Sequence, residues 1–171
     1  MPVITAKDNN LYLVDGCCAY EIKRDVQFFI DFEFLYKLMP QNFKQSIMEK
    51  HDHCDAVIIK LEEKQDSISI TVNLYELSMN EQRGLGEYVR KFEFCMKFID
   101  EFMKWLKIWN RGKGDKKIGG VNFKLFIITN PNVTGSLMKE KGSSYHYRRE
   151  FFSNYSPELI IESCHQWKDA R

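Results

Sequence analysis

The chain has 171 residues, a net charge of +1, 44 % hydrophobic residues and 29 % charged residues. This length fits one domain, and the composition is that of a globular protein rather than a disordered or membrane-embedded one. The near-zero charge excludes a general electrostatic attraction to nucleic acid, so any such binding needs a local basic patch.

Targeting signals and cysteines bear on the cellular compartment. No basic and apolar N-terminal segment precedes a small-residue cleavage site, so no signal peptide is predicted. No apolar run approaches the roughly 18 residues of a membrane-spanning helix, and no membrane partner is expected. The five cysteines are an odd number without framework spacing, which predicts free thiols and a cytoplasmic location.

The N-terminal part begins with a strand pattern. Residues 11–23 predict a hairpin that turns at Asp15-Gly16. Large apolar residues then recur at helical spacing, which predicts a helix over 25–39, and a second short helix is predicted over 42–50.

The middle of the chain has the clearest periodicities. Strands are predicted over 55–62 and 67–79, joined by a polar turn into a hairpin, and the run "AVII" indicates a strand covered on both faces. An apolar stripe opposite charged residues predicts a long helix over 87–109. A strand follows over 121–130.

The C-terminal part carries helix-start signals. Ser156 suits an N-cap, Pro157 suits the first helical position and Glu158 suits the helix dipole, so a helix is predicted over 156–169. The element order predicts a single domain over 1–171 with a three-layer α/β/α architecture and a central mixed sheet.

One residue breaks the pattern of the second central strand. Its apolar residues alternate onto one face up to Leu74, and the next residue on that face is Glu76. Asp55 opens the preceding strand, so the hairpin brings both carboxylates to one side and one end of the sheet. A buried carboxylate needs a partner, and a pair of them is a good site for Mg²⁺ or Mn²⁺. The alternatives are an exposed strand end, or an arginine or lysine paired with the glutamate.

An aspartate on one strand, an acid on the next, and then a helix and another strand resemble the PD-(D/E)xK nuclease superfamily. The resemblance covers about residues 25–130 and implies a restriction-endonuclease-like core, here preceded by the hairpin. It also implies that Asp55 and Glu76 bind Mg²⁺ or Mn²⁺. The motif lysine is replaced by Ser78. Some members take that lysine from the following helix, where Lys91 flanks the apolar stripe and is the substitute for this catalytic role.

Two other patterns compete with this site. A literal Glu-x-Lys occurs at Glu21-Ile22-Lys23, but Asp15 lies too few residues before it for the usual arrangement. Zinc-binding residue types occur at 51–54 and at Cys164-His165 without the paired spacing of common structural sites, so loop residues are the favoured interpretation.

Basic residues in two segments are the candidates for holding phosphates: Arg111, Lys113, Lys116, Lys117, Arg148 and Arg149. The alternative is that both segments are solvated basic loops.

The resemblance implies a metal-dependent nuclease, or a nuclease-derived subunit, that acts on nucleic acid, with a defence or restriction system as its setting. The alternative is a catalytically inactive domain of the same fold that serves as a protein-interaction subunit of a larger complex. The near-zero net charge and Ser78 both favour that alternative.

Overall fold

The protein is described by a computed structural model over residues 2–22, 28–39, 41, 53–105, 117–143 and 155–168. The strands are β1 (Val3–Lys7), β2 (Asn10–Asp15), β3 (Cys18–Ile22), β4 (Phe28–Asp31), β5 (Ala56–Glu63), β6 (Ser67–Ser78), β7 (Lys117–Thr129), β8 (Glu158–Ser163) and β9 (His165–Gln166). The helices are α1 (Phe32–Leu38), α2 (Leu85–Trp105) and α3 (Pro131–Ser143).

The central sheet has five strands in the order β4-β5-β6-β7-β8. The first three strands are antiparallel neighbours, and the predicted hairpin of β5 and β6 is confirmed. β7 runs parallel to β6 after the long helix α2, and β8 runs parallel to β7 after α3. The general α/β class with a mixed sheet is therefore confirmed.

The second sheet has four strands in the order β1-β2-β3-β9 and is antiparallel throughout. The predicted N-terminal hairpin is confirmed as β2 and β3, in which Asp15 pairs with Cys18. Gly16 in the turn has a φ of 59°, a left-handed conformation that glycine adopts without a steric penalty. β1 was not predicted.

The two faces of the central sheet are covered differently. Residues of α1, α2 and α3 pack on one face, where Val57, Leu74 and Phe92 belong to one buried apolar cluster. The four-stranded sheet packs on the other face, where Leu13 and Ile58 belong to a second buried apolar cluster. β5 is thus covered on both faces, as predicted. Within the described ranges the third layer is a sheet, whereas the expected α/β/α order places helices there.

The predicted helix over 25–39 is wrong in its first half. Phe28–Asp31 form β4 at the edge of the central sheet, in register with β5, and only Phe32–Leu38 are helical. Backbone pairing with a buried strand overrides the helical spacing, and a Phe-Phe-Ile run fits a pleated surface well. The helix predicted over 42–50 lies outside the described residues.

The predicted helix over 156–169 is also wrong. Glu158–Ser163 form β8, which pairs in parallel with the end of β7, and Ser156 has a φ of 40°. Leu159 and Ile161 alternate into the core. The helix-capping preference of these residues is outweighed, because the segment can pair with the edge of β7 and bury alternate apolar side chains in the core.

The prediction of five free thiols is wrong for two cysteines. Cys18 in β3 and Cys164 between β8 and β9 form a disulfide across a sequence separation of 146 residues. Cys17, Cys54 and Cys95 have free thiols. Composition alone did not reveal the pairing, because the two partners meet only when the second sheet packs on the first.

Candidate functional site

The hairpin of β5 and β6 brings the two acidic residues together at one end of the central sheet. Ala56 pairs with Tyr75, so continuing the register by one pair sets Asp55 opposite Glu76. The backbone N–H of Asp55 donates to the carbonyl of Tyr75 at 2.9 Å. Oδ2 of Asp55 accepts the backbone N–H of Leu77 at 2.8 Å, which fixes the carboxyl group beside β6.

Glu76 points into the helix-covered face, as the alternation predicts. Its side chain is buried, with the residue 1 % exposed. The alternative of an exposed strand end is therefore wrong. Oε1 of Glu76 accepts a hydrogen bond from Lys91 Nζ and another from Arg83 Nη1, the latter at 2.8 Å. Pairing with lysine or arginine, the other alternative, is what the structure shows.

The two cations reach Glu76 from different elements. Lys91 lies on α2 beside the buried stripe that includes Tyr88 and Phe92, and its side chain is 13 % exposed. Arg83 lies in the short connection between β6 and α2, and its side chain is 30 % exposed. The helix thus positions Lys91 by packing its apolar stripe, whereas Arg83 is positioned by the loop.

The second oxygen of Glu76 has a different environment. Oε2 is buried and has no hydrogen-bond partner among the described residues. Leaving a buried carboxylate oxygen unpaired costs about 1–3 kcal/mol. A buried carboxylate oxygen without a hydrogen-bond partner is the kind of ligand atom that a bound cation satisfies.

The pKa values of both acids are raised, and burial is the largest cause in each case. Desolvation, together with the negative charge of Glu76, raises the pKa of Asp55 to about 7, although the Leu77 N–H bond and Lys91 oppose the shift. Burial also raises the pKa of Glu76, against the opposing effect of Lys91 and Arg83. The two carboxyl groups therefore share one electrostatic environment with two cations at its border.

Asp55 and Glu76 have the chemistry that Mg²⁺ or Mn²⁺ requires. Both ions favour hard oxygen ligands, and Mg²⁺ commonly keeps several waters while binding one or two carboxylates. The orphaned oxygen of Glu76 fits this demand. In the described part of the chain no group of three or more His, Cys, Asp or Glu side chains is placed to hold a metal ion. Asp55 and Glu76 are the two candidate ligands among the described residues.

The polar end of the sheet extends beyond the predicted residues. Ser78 pairs in register with Thr129 of β7, which pairs in turn with Ser163 of β8. Thr129 is fully buried, and its hydroxyl has no hydrogen-bond partner within the described ranges. Sequence reasoning missed Thr129 and Arg83. A signal for Thr129 was present, because it follows Leu125 and Ile127 on the helix-covered face.

Of the six basic residues predicted to hold phosphates, only Lys117 is among the described residues. Arg111, Lys113, Lys116, Arg148 and Arg149 fall outside the described residues. Lys117 begins β7 and pairs with Ser67, at the opposite end of β6 from Glu76, about 30 Å along the strand. This separation places the backbone of Lys117 far from the acidic pair.

The competing patterns also have definite positions. Glu21 is exposed on β3, and Lys23 lies outside the described residues. Cys164 is held in the disulfide, which removes it from any zinc site. The His53 ring lies against Phe32, with ring centroids 5.3 Å apart, and His51 is outside the described ranges. Asp15 is close enough to raise the pKa of Asp55 slightly further, a proximity that the sequence did not indicate.

Comparisons with protein-family models, with curated proteins and with solved structures find no match for this chain. No helix in the described part of the chain combines the length and the apolar character needed to cross a bilayer.

Proposed function

We propose that this chain is a metal-dependent nuclease, or a subunit derived from one, that cleaves phosphodiester bonds in nucleic acid. The observation that carries the proposal is the trio of Asp55, Glu76 and Lys91 at one end of the central sheet. Two acids on adjacent strands and a lysine from the following helix are the residue types that the PD-(D/E)xK superfamily uses, and Lys91 contacts the second acid directly.

Asp55 and Glu76 would hold Mg²⁺ or Mn²⁺ between the ends of β5 and β6. When bound, the ion supplies a water nucleophile at neutral pH and stabilises negative charge on phosphate. The N–H of Leu77 fixes one oxygen of Asp55 and leaves the other for binding. Lys91 lies beside Glu76, where its ammonium group can hold and orient a water or a phosphate oxygen.

The surroundings of the trio support chemistry at a protected site. The sheet and α2 exclude water from Glu76, and electrostatic interactions are stronger where water is excluded. Arg83 and Lys91 contribute local positive charge although the whole chain is nearly neutral. In a nearly neutral protein, a few cationic side chains at one site would attract nucleic acid to that site rather than to the whole protein surface.

A second function has a specific observation in its favour. Oε1 of Glu76 already accepts hydrogen bonds from two cationic side chains, Lys91 and Arg83, so the protein itself neutralises the charge of this carboxylate. Such an ion cluster can persist as a structural feature in a domain that has lost catalysis. The alternative is therefore an inactive nuclease-like subunit of a protein complex.

The test measures Mn²⁺ binding by calorimetry at pH 8 and cleavage of labelled DNA and RNA in Mg²⁺ and Mn²⁺. The variants are Asp55→Asn and Glu76→Gln, which keep size and remove charge. Asp66→Asn, in the exposed turn between β5 and β6, is the matched control.

The nuclease function requires wild-type binding and cleavage that both site variants lose and the control retains. Binding without cleavage of any substrate favours the inactive subunit. If the wild type and the control bind no Mn²⁺, the metal-dependent nuclease is excluded.

A further inference from the structure

Arg83 and Lys91 compete for one acceptor. Both side chains donate to Oε1 of Glu76, while Oε2 has no hydrogen-bond partner in the part of the chain that the structure describes. Lys91 approaches from a packed helix, and its side chain is 13 % exposed. Arg83 approaches from a loop with its side chain 30 % exposed, so it is the partner that can turn toward solvent.

A divalent cation changes the charge balance of this cluster. Asp55 and Glu76 carry two negative charges when ionised, and Lys91 and Arg83 carry two positive ones. A bound divalent ion adds two further positive charges within a few ångströms of the guanidinium. Like charges at that distance in a partly buried site repel strongly, so one cation is driven away.

On the basis of the proposed function, we infer that Arg83 is a phosphate-binding residue that metal binding releases from Glu76. Without metal the guanidinium shields the carboxylate. With metal it turns to solvent at the entrance of the site, where a phosphate of the nucleic acid supplies the missing negative charge. A guanidinium suits this role because its planar fork binds two phosphate oxygens at once.

This inference predicts a coupling between the two ligands. Because the metal must displace Arg83 and phosphate accepts it, the metal and the nucleic acid strengthen each other's binding by the same factor. A structural role predicts the opposite outcome for the metal. If Arg83 only anchors the connection between β6 and α2, its loss loosens the loop and weakens or leaves unchanged the affinity for the metal.

The first experiment compares Mn²⁺ affinity at pH 8 by calorimetry in the wild type, Arg83→Gln and Arg90→Gln. Arg90 is exposed on α2 next to Lys91, so its variant reports the general effect of removing one positive charge. We expect Arg83→Gln to bind Mn²⁺ about fivefold more tightly than the wild type, as loss of a competing ion pair allows. The control should differ by less than about twofold, and Arg83→Lys should resemble the wild type.

The second experiment measures binding of a labelled phosphorothioate DNA, which resists cleavage, as a function of salt with and without Mn²⁺. In Mn²⁺ the slope of log affinity against log salt should be shallower by about one in Arg83→Gln than in the wild type. Without Mn²⁺ the two slopes should agree. Thermal unfolding of each variant in EDTA verifies that it is folded.

The outcomes separate this inference from the function on which it rests. Wild-type protein that binds no Mn²⁺ overturns both. Wild-type binding with an Arg83→Gln affinity no higher than that of Arg90→Gln leaves the metal site intact and overturns the displacement of Arg83. A tighter Mn²⁺ affinity with an unchanged salt slope overturns the phosphate contact.

Discussion

Lys91 on the long helix donates a hydrogen bond to Glu76 on the central strand, fifteen residues earlier in the chain. The bond joins the sheet to the helix layer at the one end of β6 where the helix-covered face becomes polar. Arg83 shares the same carboxylate oxygen. Glu76 therefore contributes both to the stability of the fold and to the proposed activity, and the two contributions can be measured separately.

Loss of the Lys91 ammonium should destabilise the protein. We expect Lys91→Met to lower the free energy of unfolding by about 2 kcal/mol. Removing the only partner of a buried charge costs about 3–5 kcal/mol, and the loss is smaller here because Arg83 still pairs with Glu76. Lys97→Met is the matched control, since Lys97 pairs with Glu93 on the same helix with its side chain 69 % exposed. Its effect should stay below about 0.5 kcal/mol in urea unfolding. Equal effects of the two variants would contradict the buried position of Glu76.

Asp55 should make the metal-free protein less stable as pH rises. Its pKa is raised to about 7 in the fold, above the ordinary aspartate value, so the folded state binds the proton more tightly than the unfolded state. Its contribution to stability is present below about pH 4 and is lost as pH rises through about 7.

The measurement for this prediction is urea unfolding in EDTA at pH 5 and pH 8 for the wild type and Asp55→Asn. The variant keeps an oxygen for the Leu77 N–H and has no charge to desolvate. The stability difference, variant minus wild type, should therefore increase toward pH 8. A difference that is independent of pH would show that the carboxyl group titrates normally.

The disulfide should be detectable chemically and thermodynamically. Protein purified without reductant and unfolded in guanidinium should react as three thiols, those of Cys17, Cys54 and Cys95. Cys164→Ser should lower the free energy of unfolding by about 3 kcal/mol, because the closed loop is long. Cys17→Ser, at an exposed neighbouring position, should change it little. Five reactive thiols in the wild type would contradict the bond.

The contact between α1 and α2 should be one of the most sensitive to truncation. Phe98 is fully buried, and its ring lies edge-on to that of Phe32 with centroids 4.9 Å apart. Phe98→Ala should cost about 4 kcal/mol in the free energy of unfolding, as large cavities do. Met138→Ala on α3 is the control, since Met138 is exposed and its truncation should cost under about 0.5 kcal/mol.

Periodic sequence patterns correctly predicted the elements that form from residues close together in the chain. The β5–β6 hairpin and α2 carry clear periods of two and 3.6, and those periods also orient Glu76 and place Lys91 beside the apolar stripe. β4 and β8 were mistaken for helix because their strand character depends on β5 and β7, which are distant in sequence. Arg83 follows no period, since loop geometry alone brings it to Glu76.

The layer order has a consequence for how the chain folds. β1, β2 and β3 precede the central sheet in sequence, yet their apolar inner face has nothing to cover it until that sheet exists. The second edge of β3 pairs with β9 only after another 146 residues have been made, the separation of Cys18 from Cys164. During synthesis β1, β2 and β3 therefore emerge with an exposed apolar face and an unpaired edge on β3. These conditions favour slow folding and recruitment of a chaperone.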